Sequence, residues 1–350
     1  MTKIDDDWPE QDLESVPNCP ICGQWERKIL YNGLQDYAFQ VAEGKWSMYK
    51  CSKCGTAYLD PRPTPESIWR AYTNYYTHSN NDDLQVNQNK NILQRIVRDL
   101  KNGYINHRYQ INKNPAIKAG RWIIPLIPPL RSVVECSFRH ITATDSTECR
   151  LLDVGCGNGS YLVLAQQAGW KVEGFDFDPE AVKTCLASGL NVTVGGIEIL
   201  QGRSNQYDAI TLSHVIEHVH DPARLLNQVL ALLKPGGMLW LATPNIDSLL
   251  SAQYGSNWRG LEPPRHLVLF NRDSLRLLLH QAGFCEIRQH YDMAARFIMS
   301  ESEAIKFRRA NILDVKPYQI LAGGSFCVEL LEYLQSQKRE FIIFTAKKHA

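Results

Sequence analysis

The spacing of apolar residues changes character near Arg150. There an apolar strand leads into a glycine-rich turn, a helix that ends at Gly169 and a second strand at Lys171–Phe175. Strands that alternate with helices form a parallel sheet with helices on both faces. Further strands are predicted at Val192–Val194, Tyr207–Leu212 and Met238–Ala242, and the last two at CEIRQHY and EFIIFTAKK. We therefore expect residues 150–350 to form a doubly wound α/β domain.

Upstream of this domain the pattern is helical. Apolar residues recur at helical spacing between 87 and 106, namely Ile92, Leu93, Ile96, Val97 and Leu100. Basic residues dominate the stretch from 90 to 131, including Arg95, Arg98, Lys101, Arg108, Lys113, Lys118 and Arg121. Such a surface is either a solvated helical face or a contact for an anionic substrate or membrane headgroups. We expect residues 61–149 to form a helical connector.

Two cysteine pairs with identical spacing, NCPICG and YKCSKCG, lie ahead of the connector. Together they supply four thiolates, the complete tetrahedral shell of a structural zinc. The glycine after each pair suits a chain that turns tightly around a metal. Free cysteines are also commonly buried as small hydrophobic side chains, but two matched pairs favour zinc. We predict a zinc ribbon at residues 1–60, with Cys19, Cys22, Cys51 and Cys54 as ligands.

Composition and charge exclude several other classes of protein. The 350-residue chain carries 38 Lys and Arg against 37 Asp and Glu, a formal net charge of +1, so we expect no nucleic-acid partner. The sequence begins with acidic and polar residues, unlike a signal peptide, so we expect a cytoplasmic protein whose 10 cysteines are metal ligands or buried. The longest apolar run, WIIPLIPPL, is too short to span a bilayer, and we expect no transmembrane segment.

The sequence DVGCGNG places Gly155, Gly157 and Gly159 at alternate positions after the first strand of the α/β domain. Glycines let the backbone turn sharply and let a ligand lie against the main chain. The third glycine comes one residue earlier than in the nicotinamide fingerprint GxGxxG. Asp176 ends the second strand, at the usual distance for a carboxylate that binds ribose hydroxyls. These features fit either an adenosine-bearing sulfonium or a dinucleotide.

Four segments, LLDVGCGNGS, VEGFDFDPEAV, YDAITLSHVIEHVHDP and LLKPGGMLWLATPN, closely resemble the successive motifs of class I S-adenosylmethionine-dependent methyltransferases. The similarity covers Arg150 to about Tyr291 and is closest in kind to the group around the ubiquinone-pathway O-methyltransferase. The whole chain also resembles bacterial methyltransferases with an N-terminal zinc ribbon, including some that act on nucleotide sugars or surface polysaccharides. The resemblance implies a Rossmann-like sheet of seven strands, S-adenosylmethionine as cofactor, and a small-molecule or sugar-type acceptor.

The resemblance also implies roles for individual residues. The glycine turn would cradle the methionine and ribose portions of the cofactor, with Asp153 supporting the turn and Asp176 binding the ribose. Phe177 and Ile197 would contact adenine. Relatives often have an acid near adenine N6 where this sequence has Gly196, so the backbone is left to make that contact. The full set implied for the cofactor is Asp153, Gly155, Cys156, Gly157, Gly159, Asp176, Phe177, Ile197 and His214.

The stretch SHVIEHVHDP follows the strand at 207–212 and supplies candidate catalytic residues. Methyl transfer from a sulfonium depends mainly on alignment, and a base is needed only when the nucleophile carries a proton. The spacing of His214, Glu217 and His218 predicts that they share one helical face. There they could act in catalysis, contact the cofactor or bind a transition metal. Alternatively, Glu217 and His218 fix the loop and only His214 faces the cofactor.

The loop NWRGLEPPRHLVLF follows the next strand, and its polar, proline-stiffened sequence predicts a cover over a cleft. Arg265 and His266 resemble substrate- or anion-binding residues of the zinc-ribbon relatives, and a structural tie between loop and sheet is the alternative. We expect His214 or His266 as general base and Arg265 as substrate clamp. The segment YYTHS at Tyr75–Ser79 either folds over the cofactor as a lid or packs as ordinary aromatic residues.

Taken together, these features predict methyl transfer from S-adenosylmethionine to a small-molecule or sugar-type acceptor. One alternative is an RNA or protein methyltransferase that grips its substrate with the zinc ribbon. Another is a cofactor-binding protein without turnover. The acceptor, the atom that is methylated and the oligomeric state are not predicted.

Overall fold

The computed structural model of the protein describes residues 6–73, 91–143, 148–292, 295–307 and 322–350. The predicted lid at Tyr75–Ser79 lies outside these ranges. The strands are β1 Leu13–Glu14, β2 Arg27–Leu34, β3 Trp46–Cys51, β4 Ala57–Leu59, β5 Arg62–Pro63, β6 Arg150–Val154, β7 Lys171–Asp176, β8 Val192–Val194, β9 Tyr207–Ser213, β10 Leu233–Pro244, β11 Val268–Leu269, β12 Cys285–His290 and β13 Phe341–Lys347. The helices are α1 Ile92–Tyr109, α2 Gly120–Ile123, α3 Pro128–Ser137, α4 Ser160–Gln167, α5 Pro179–Ala187, α6 Pro222–Leu232, α7 Leu249–Tyr254, α8 Arg272–Gln281, α9 Ala295–Lys306 and α10 Ala322–Leu334.

Seven strands form the central sheet in the order β12-β13-β10-β9-β6-β7-β8, which confirms the predicted fold. The five strands from β8 to β10 in this order are parallel, and β13 is antiparallel to both of its neighbours. In β6 every residue from Leu151 to Val154 is buried, which is typical of a parallel strand covered on both faces. Chain order reverses between β6 and β9. Open α/β sheets bind ligands at this point, beyond the carboxyl ends of the strands.

The amino-terminal residues form a second, antiparallel sheet of four strands in the order β11-β4-β3-β2. Its edge strand β11 comes from beyond β10, where Val268 pairs with Tyr58 and Leu269 with Ala57. The pairing therefore crosses the boundary that the sequence placed at residue 60. The two sheets also share one hydrophobic core, in which Trp46 and Met48 of the small sheet belong to the same cluster as Leu212 of the parallel sheet.

The connector is helical, as the apolar spacing predicted. The side chain of Asn91 caps α1 by accepting a hydrogen bond from the amide of Gln94, whose own side chain accepts one from the amide of Asn91. Further along, α1 packs on α2 at backbone contact. A Cβ at Gly103 would lie 1.9 Å from the Ile117 carbonyl oxygen, and a Cβ at Gly120 would lie 1.8 Å from that of Leu100. No helix in the described ranges is long and apolar enough to cross a bilayer.

Candidate functional site

The glycine turn lies at the carboxyl end of β6, against the loop that follows β9. All three glycines have positive φ, +70° at Gly155, +54° at Gly157 and +77° at Gly159. A Cβ at Gly155 would lie 2.7 Å from Cγ2 of Val215, so a larger residue is excluded by contact as well as by conformation. The turn thus has the tight left-handed geometry that its glycines allow. Cys156, within the turn, is buried, and burial raises the pKa of its thiol.

Asp153 and Asp176 end near this turn but bond different partners. Asp153 is fully buried, and its Oδ1 accepts hydrogen bonds from the Arg139 guanidinium and, at 2.8 Å, from the Thr211 hydroxyl. Burial raises the pKa of Asp153 against the charge of Arg139. Asp176 accepts the Gly157 amide at 2.8 Å through Oδ2. The side chain of Asp176 therefore binds the turn itself, whereas that of Asp153 ties β6 to β9 and Arg139.

Glu198, which was not predicted from the sequence, lies beside the predicted adenine contacts Phe177 and Ile197. Phe177 projects from the end of β7 with 74% of its surface exposed, whereas Ile197 is buried. A Cβ at Gly196 would lie 2.6 Å from Phe177 Cζ and 2.5 Å from Glu198 Oε2. The Gly196 amide donates to Glu198 Oε1 at 3.1 Å. The signal was present in the sequence GGIEIL, in which an acid follows two residues after the glycine.

His214 and Glu217 form a hydrogen-bonded pair just beyond β9. His214 has a positive φ of 54°, and its amide donates to the Ala242 carbonyl of β10 at 2.9 Å. Its Nδ1 lies 3.2 Å from Oε1 of the fully buried Glu217, whose Oε2 accepts the Thr243 hydroxyl at 2.9 Å. Burial opposes ionisation of Glu217, but the bond from His214 and the neighbouring histidines lower its pKa to about 2. The carboxylate therefore orients the His214 ring.

The prediction that His214, Glu217 and His218 share one helical face is wrong. Only a short 3₁₀ turn forms, at Ile216–His218, because the backbone at His214 is bonded to β10 and turns away from helical geometry. His218 faces His266 instead, with ring centroids 4.7 Å apart. Each ring places Nδ1 against a backbone carbonyl, that of Arg265 at 3.0 Å for His218 and that of Gly260 at 2.7 Å for His266.

The two histidines belong to a group, separate from the four cysteines, that could hold a metal. A carbonyl only accepts, so Nδ1 carries the hydrogen in both rings and Nε2 of the neutral ring has a free lone pair. Glu217, His218 and His266 each offer one ligand atom, and these atoms lie within 4.8 Å of one another. Burial lowers the pKa of His266 to about 4, against the charge of Glu262, so this ring is neutral at pH 7.

The loop that contains Arg265 and His266 is packed inside the protein, contrary to the expected cover over a cleft. Arg265 is fully buried. Its guanidinium bonds both carboxylate oxygens of Asp36, at 2.5 and 3.1 Å, as well as Glu262 at 2.9 Å and the Ala71 carbonyl at 3.0 Å. The sequence left open whether Arg265 clamps a substrate or ties the loop in place, and these contacts are those of the tie.

A cavity of about 330 Å³ lies between the connector and the sheet. Aromatic side chains line it together with polar groups that include Arg139, His214 and Asp292. His266 and Arg265 are not among its lining residues. Of the predicted catalytic residues, His214 is thus the one that the described part of the chain places at this cavity. The lining aromatic residues are Tyr161, Trp240 and Phe341.

The four predicted zinc ligands converge at the end of the small sheet that is opposite to Asp36. Cys19 Sγ lies 3.5 Å from Cys54 Sγ, and Cys22 Sγ lies 3.5 Å from Cys51 Sγ. All four sulfurs are within 4.8 Å of one another, close to the separation of about 3.8 Å expected around tetrahedral zinc with bonds of about 2.3 Å. The hydrogen bond from the Cys19 thiol lowers the pKa of Cys54 to about 4, against burial. The donor set therefore suits zinc.

Comparison with known proteins agrees with this geometry. Residues 127–289 match a methyltransferase domain family. The chain is 34% identical over 149 residues to the ubiquinone biosynthesis O-methyltransferase of Xanthomonas axonopodis pv. citri, covering 40% of this chain and 62% of that protein. It is 36% identical over 134 residues to the protein of the same name from Bordetella avium, covering 34% of this chain and 56% of that one. The chain thus spans about three fifths of the length of the curated relatives it matches.

Solved structures similar to this chain include a SAM-dependent methyltransferase from Archaeoglobus fulgidus, with 22% identity, 57% of this chain and 86% of that chain covered, and a TM-score of 0.40. Another is phosphoethanolamine N-methyltransferase 2 of Haemonchus contortus, with 18% identity, coverage of 71% and 60%, and a TM-score of 0.43. The family match spans the segment that carries the glycine turn and His214. The similarity to S-adenosylmethionine-dependent methyltransferases thus covers this segment, which is a little less than half of the chain.

Proposed function

We propose that the protein transfers a methyl group from S-adenosylmethionine to a small-molecule acceptor held in the 330 Å³ cavity. One observation carries the proposal. The segment Ser213–Val215 separates the two sites, with Val215 against Gly155 of the glycine turn and His214 in the wall of the cavity. A donor on the turn and an acceptor in the cavity would meet there, which is the alignment that methyl transfer requires.

The residues of the turn suit the donor. The tight turn at Gly155, Gly157 and Gly159 would let the methionine and ribose portions lie against the main chain, and Asp176 would accept hydrogen bonds from the ribose hydroxyls. We assign Glu198 to the N–H edge of adenine, beside Phe177 on the ring face, in place of the acid that the sequence lacks at Gly196. When bound, S-adenosylmethionine supplies the methyl group on a positively charged sulfur.

His214 is the proposed general base. Its Nδ1 is held by Glu217, so Nε2 is the atom left to take a proton from a hydroxyl or amine of the acceptor. An ionised Glu217 stabilises the charge that the ring gains. His218 and His266 would fix the loop through their carbonyl bonds, and Arg265 through Asp36.

Two readouts test the proposal. Calorimetric titration should show binding of S-adenosylmethionine, with Asp176→Ala and Glu198→Ala each weakening it, because each removes a hydrogen-bond partner of the adenosine. A response to NAD with none to S-adenosylmethionine would overturn the donor assignment. For the acceptor, untargeted mass spectrometry of cells with and without the gene should find small molecules that differ by one methyl group. Methylation confined to RNA or protein would contradict the acceptor class.

A further inference from the structure

The connector carries an exposed apolar surface, which we call the connector patch. It consists of large side chains that a protein normally buries, and the most exposed is Leu126, at 80%. The patch is formed by Ile92, Leu93 and Ile96 on α1, Trp122 on α2, and Leu126 and Ile127 just before α3.

The two halves of the patch are joined by tight packing. Gly120, at the start of α2, lies against the Leu100 carbonyl, and the Ile117 amide donates to the Asp99 carbonyl at 2.8 Å. Ile96 lies one helical turn before Leu100, and Trp122 follows two residues after Gly120. The two groups of apolar side chains therefore lie on neighbouring, tightly packed elements.

Positive charge surrounds the patch. Residues 91–131 contain eight Lys and Arg and a single acid, Asp99, which is paired with Arg98 at 2.8 Å. Two of the eight, Arg108 and Arg131, pair with Glu135 on α3, which leaves five basic residues outside these pairs. Lys118 and Arg121 are exposed at its edge. The Arg121 guanidinium lies 3.7 Å from the centre of the Trp122 ring. Because the whole chain has a net charge of only +1, this basic surface is local.

Charge decides between the possible occupants. A two-fold contact with a second copy would bring two basic patches face to face, which is unfavourable. A nucleic acid would meet large aliphatic side chains where phosphate-binding surfaces are polar. An anionic membrane surface suits both the positive charge and the apolar side chains. Its headgroups attract Lys and Arg, while the aliphatic side chains and tryptophan enter the interface.

We propose that the connector patch docks this protein peripherally on an anionic membrane surface. Docking would bring the proposed acceptor cavity close to the membrane, and this step rests on the proposed function. Helix α3 begins at Pro128, next to the patch, and ends at Ser137 in the wall of the cavity. Ten helical residues span about 15 Å, so docking would hold the cavity close to the bilayer and to acceptors dissolved in it.

Vesicle sedimentation tests the proposal with the full-length protein. The probes are phosphatidylcholine vesicles with and without about 30 mol% phosphatidylglycerol. The patch variants are Leu126→Asp and the pair Lys118→Glu/Arg121→Glu. Matched controls on α5 are Leu186→Asp and Lys183→Glu, which change exposed residues away from the patch. Circular dichroism and S-adenosylmethionine binding verify that each variant is folded. If the wild type does not bind S-adenosylmethionine, that result contradicts the proposed function, and the vesicle experiment still decides on membrane docking.

The expected result is binding to the anionic vesicles only, weakened by high salt. Binding should fall about fivefold or more for each basic residue removed, and at least as far for Leu126→Asp, while the controls bind like the wild type. The proposal is overturned if the wild type ignores anionic vesicles or if the patch variants still bind. It is equally overturned if the wild type binds RNA instead, or if Leu126→Asp merely converts a dimer to a monomer in sedimentation velocity.

Discussion

The small antiparallel sheet and the large parallel sheet are stabilised in different ways. The parallel sheet is held by burial, as in β6, where every residue from Leu151 to Val154 is inside. The small sheet shares that hydrophobic core but adds polar chemistry, with four cysteines at one end and the buried pair of Asp36 and Arg265 at the other. The parallel sheet is therefore held by strand packing, whereas the small sheet also depends on a buried ion pair with Arg265 of the loop after β10.

The two sheets meet at the histidine cluster. Arg265 binds Asp36 of the small sheet's region through its side chain, while its carbonyl accepts from His218. The glycine turn contacts Val215 on the other side of the same loop. We therefore expect damage to the small sheet to reach His218 and His266 before it reaches the turn.

The largest effect should come from removing a zinc ligand. Cys19→Ser should abolish binding of about one zinc per chain and loosen the small sheet, because a closed four-thiolate site contributes directly to folding. S-adenosylmethionine binding should remain, since the turn lies in the other sheet. Mass spectrometry of bound metal and calorimetry check the two parts, with Cys285→Ser as the control cysteine. Loss of cofactor binding in a folded Cys19→Ser protein would contradict the division between the sheets.

The next effect should come from the buried ion pair. Arg265→Met leaves the Asp36 and Glu262 carboxylates buried without their guanidinium and should lower the free energy of unfolding by about 3–5 kcal/mol. Urea denaturation measures this change. Arg272→Met, which breaks the partly exposed pair with Asp273, should cost at most about 1 kcal/mol. Equal costs for the two variants would show that the tie between the sheets is not stabilising.

Two glycines with the same backbone conformation distinguish the cost of backbone strain from the cost of a clash with helix α8. Gly23 and Gly55 follow the two cysteine pairs with φ of +71° and +73°. A Cβ at Gly23 meets nothing within 4 Å, but one at Gly55 lies 2.4 Å from Nδ2 of Asn271, the cap of α8. Gly23→Ala should cost about 1 kcal/mol of strain, and Gly55→Ala clearly more in urea denaturation. If the two costs were the same, the contact with α8 would contribute nothing.

The smallest effect concerns pH. Burial raises the pKa of Glu340 from 4.5 to about 8, and the same holds for Glu332. A carboxyl group with a raised folded pKa stabilises fully below 4.5, and this stabilisation is lost as pH rises through 8. The lowered pKa of His266 acts in the opposite direction but only below 6.5. Between pH 6.5 and 8 the two carboxyl groups therefore lower the free energy of unfolding, by up to about 1.4 kcal/mol per pH unit and group. The cysteine thiolates act in the opposite direction, because a thiol with a lowered folded pKa, such as Cys54, binds its proton only in the unfolded chain.

The variant Glu340→Gln isolates one of these contributions, because it removes one of the two carboxyl groups. Urea denaturation measures the change in the free energy of unfolding between pH 6.5 and 8. This change should be more positive in Glu340→Gln than in the wild type, by up to about 2 kcal/mol, whereas the exposed change Glu180→Gln serves as the control and should leave it unaltered. A Glu340→Gln variant with the same change as the wild type would show that Glu340 is ionised in the folded state.

The features that the sequence predicted are those with local spacing. The strand and helix pattern, the glycine turn and the four cysteines each follow from residues close in the chain. The Asp36–Arg265 pair does not, because its members are 229 residues apart. The polar composition of the loop around Arg265 suggested exposure, yet its polar groups satisfy one another inside the protein. The helical spacing of His214 and His218 misled because a bond to β10 overrides it.

Transfer of labelled methyl groups tests the central claim most directly. The protein is incubated with S-adenosylmethionine labelled in its methyl group and with an extract separated into small molecules, RNA and protein. The account predicts label in small molecules, polar or lipid-soluble, reduced about 100-fold or more by His214→Ala but unchanged by the exposed control His280→Ala, while both variants bind the donor like the wild type. Label in RNA or protein alone, or undiminished transfer by His214→Ala, would contradict it.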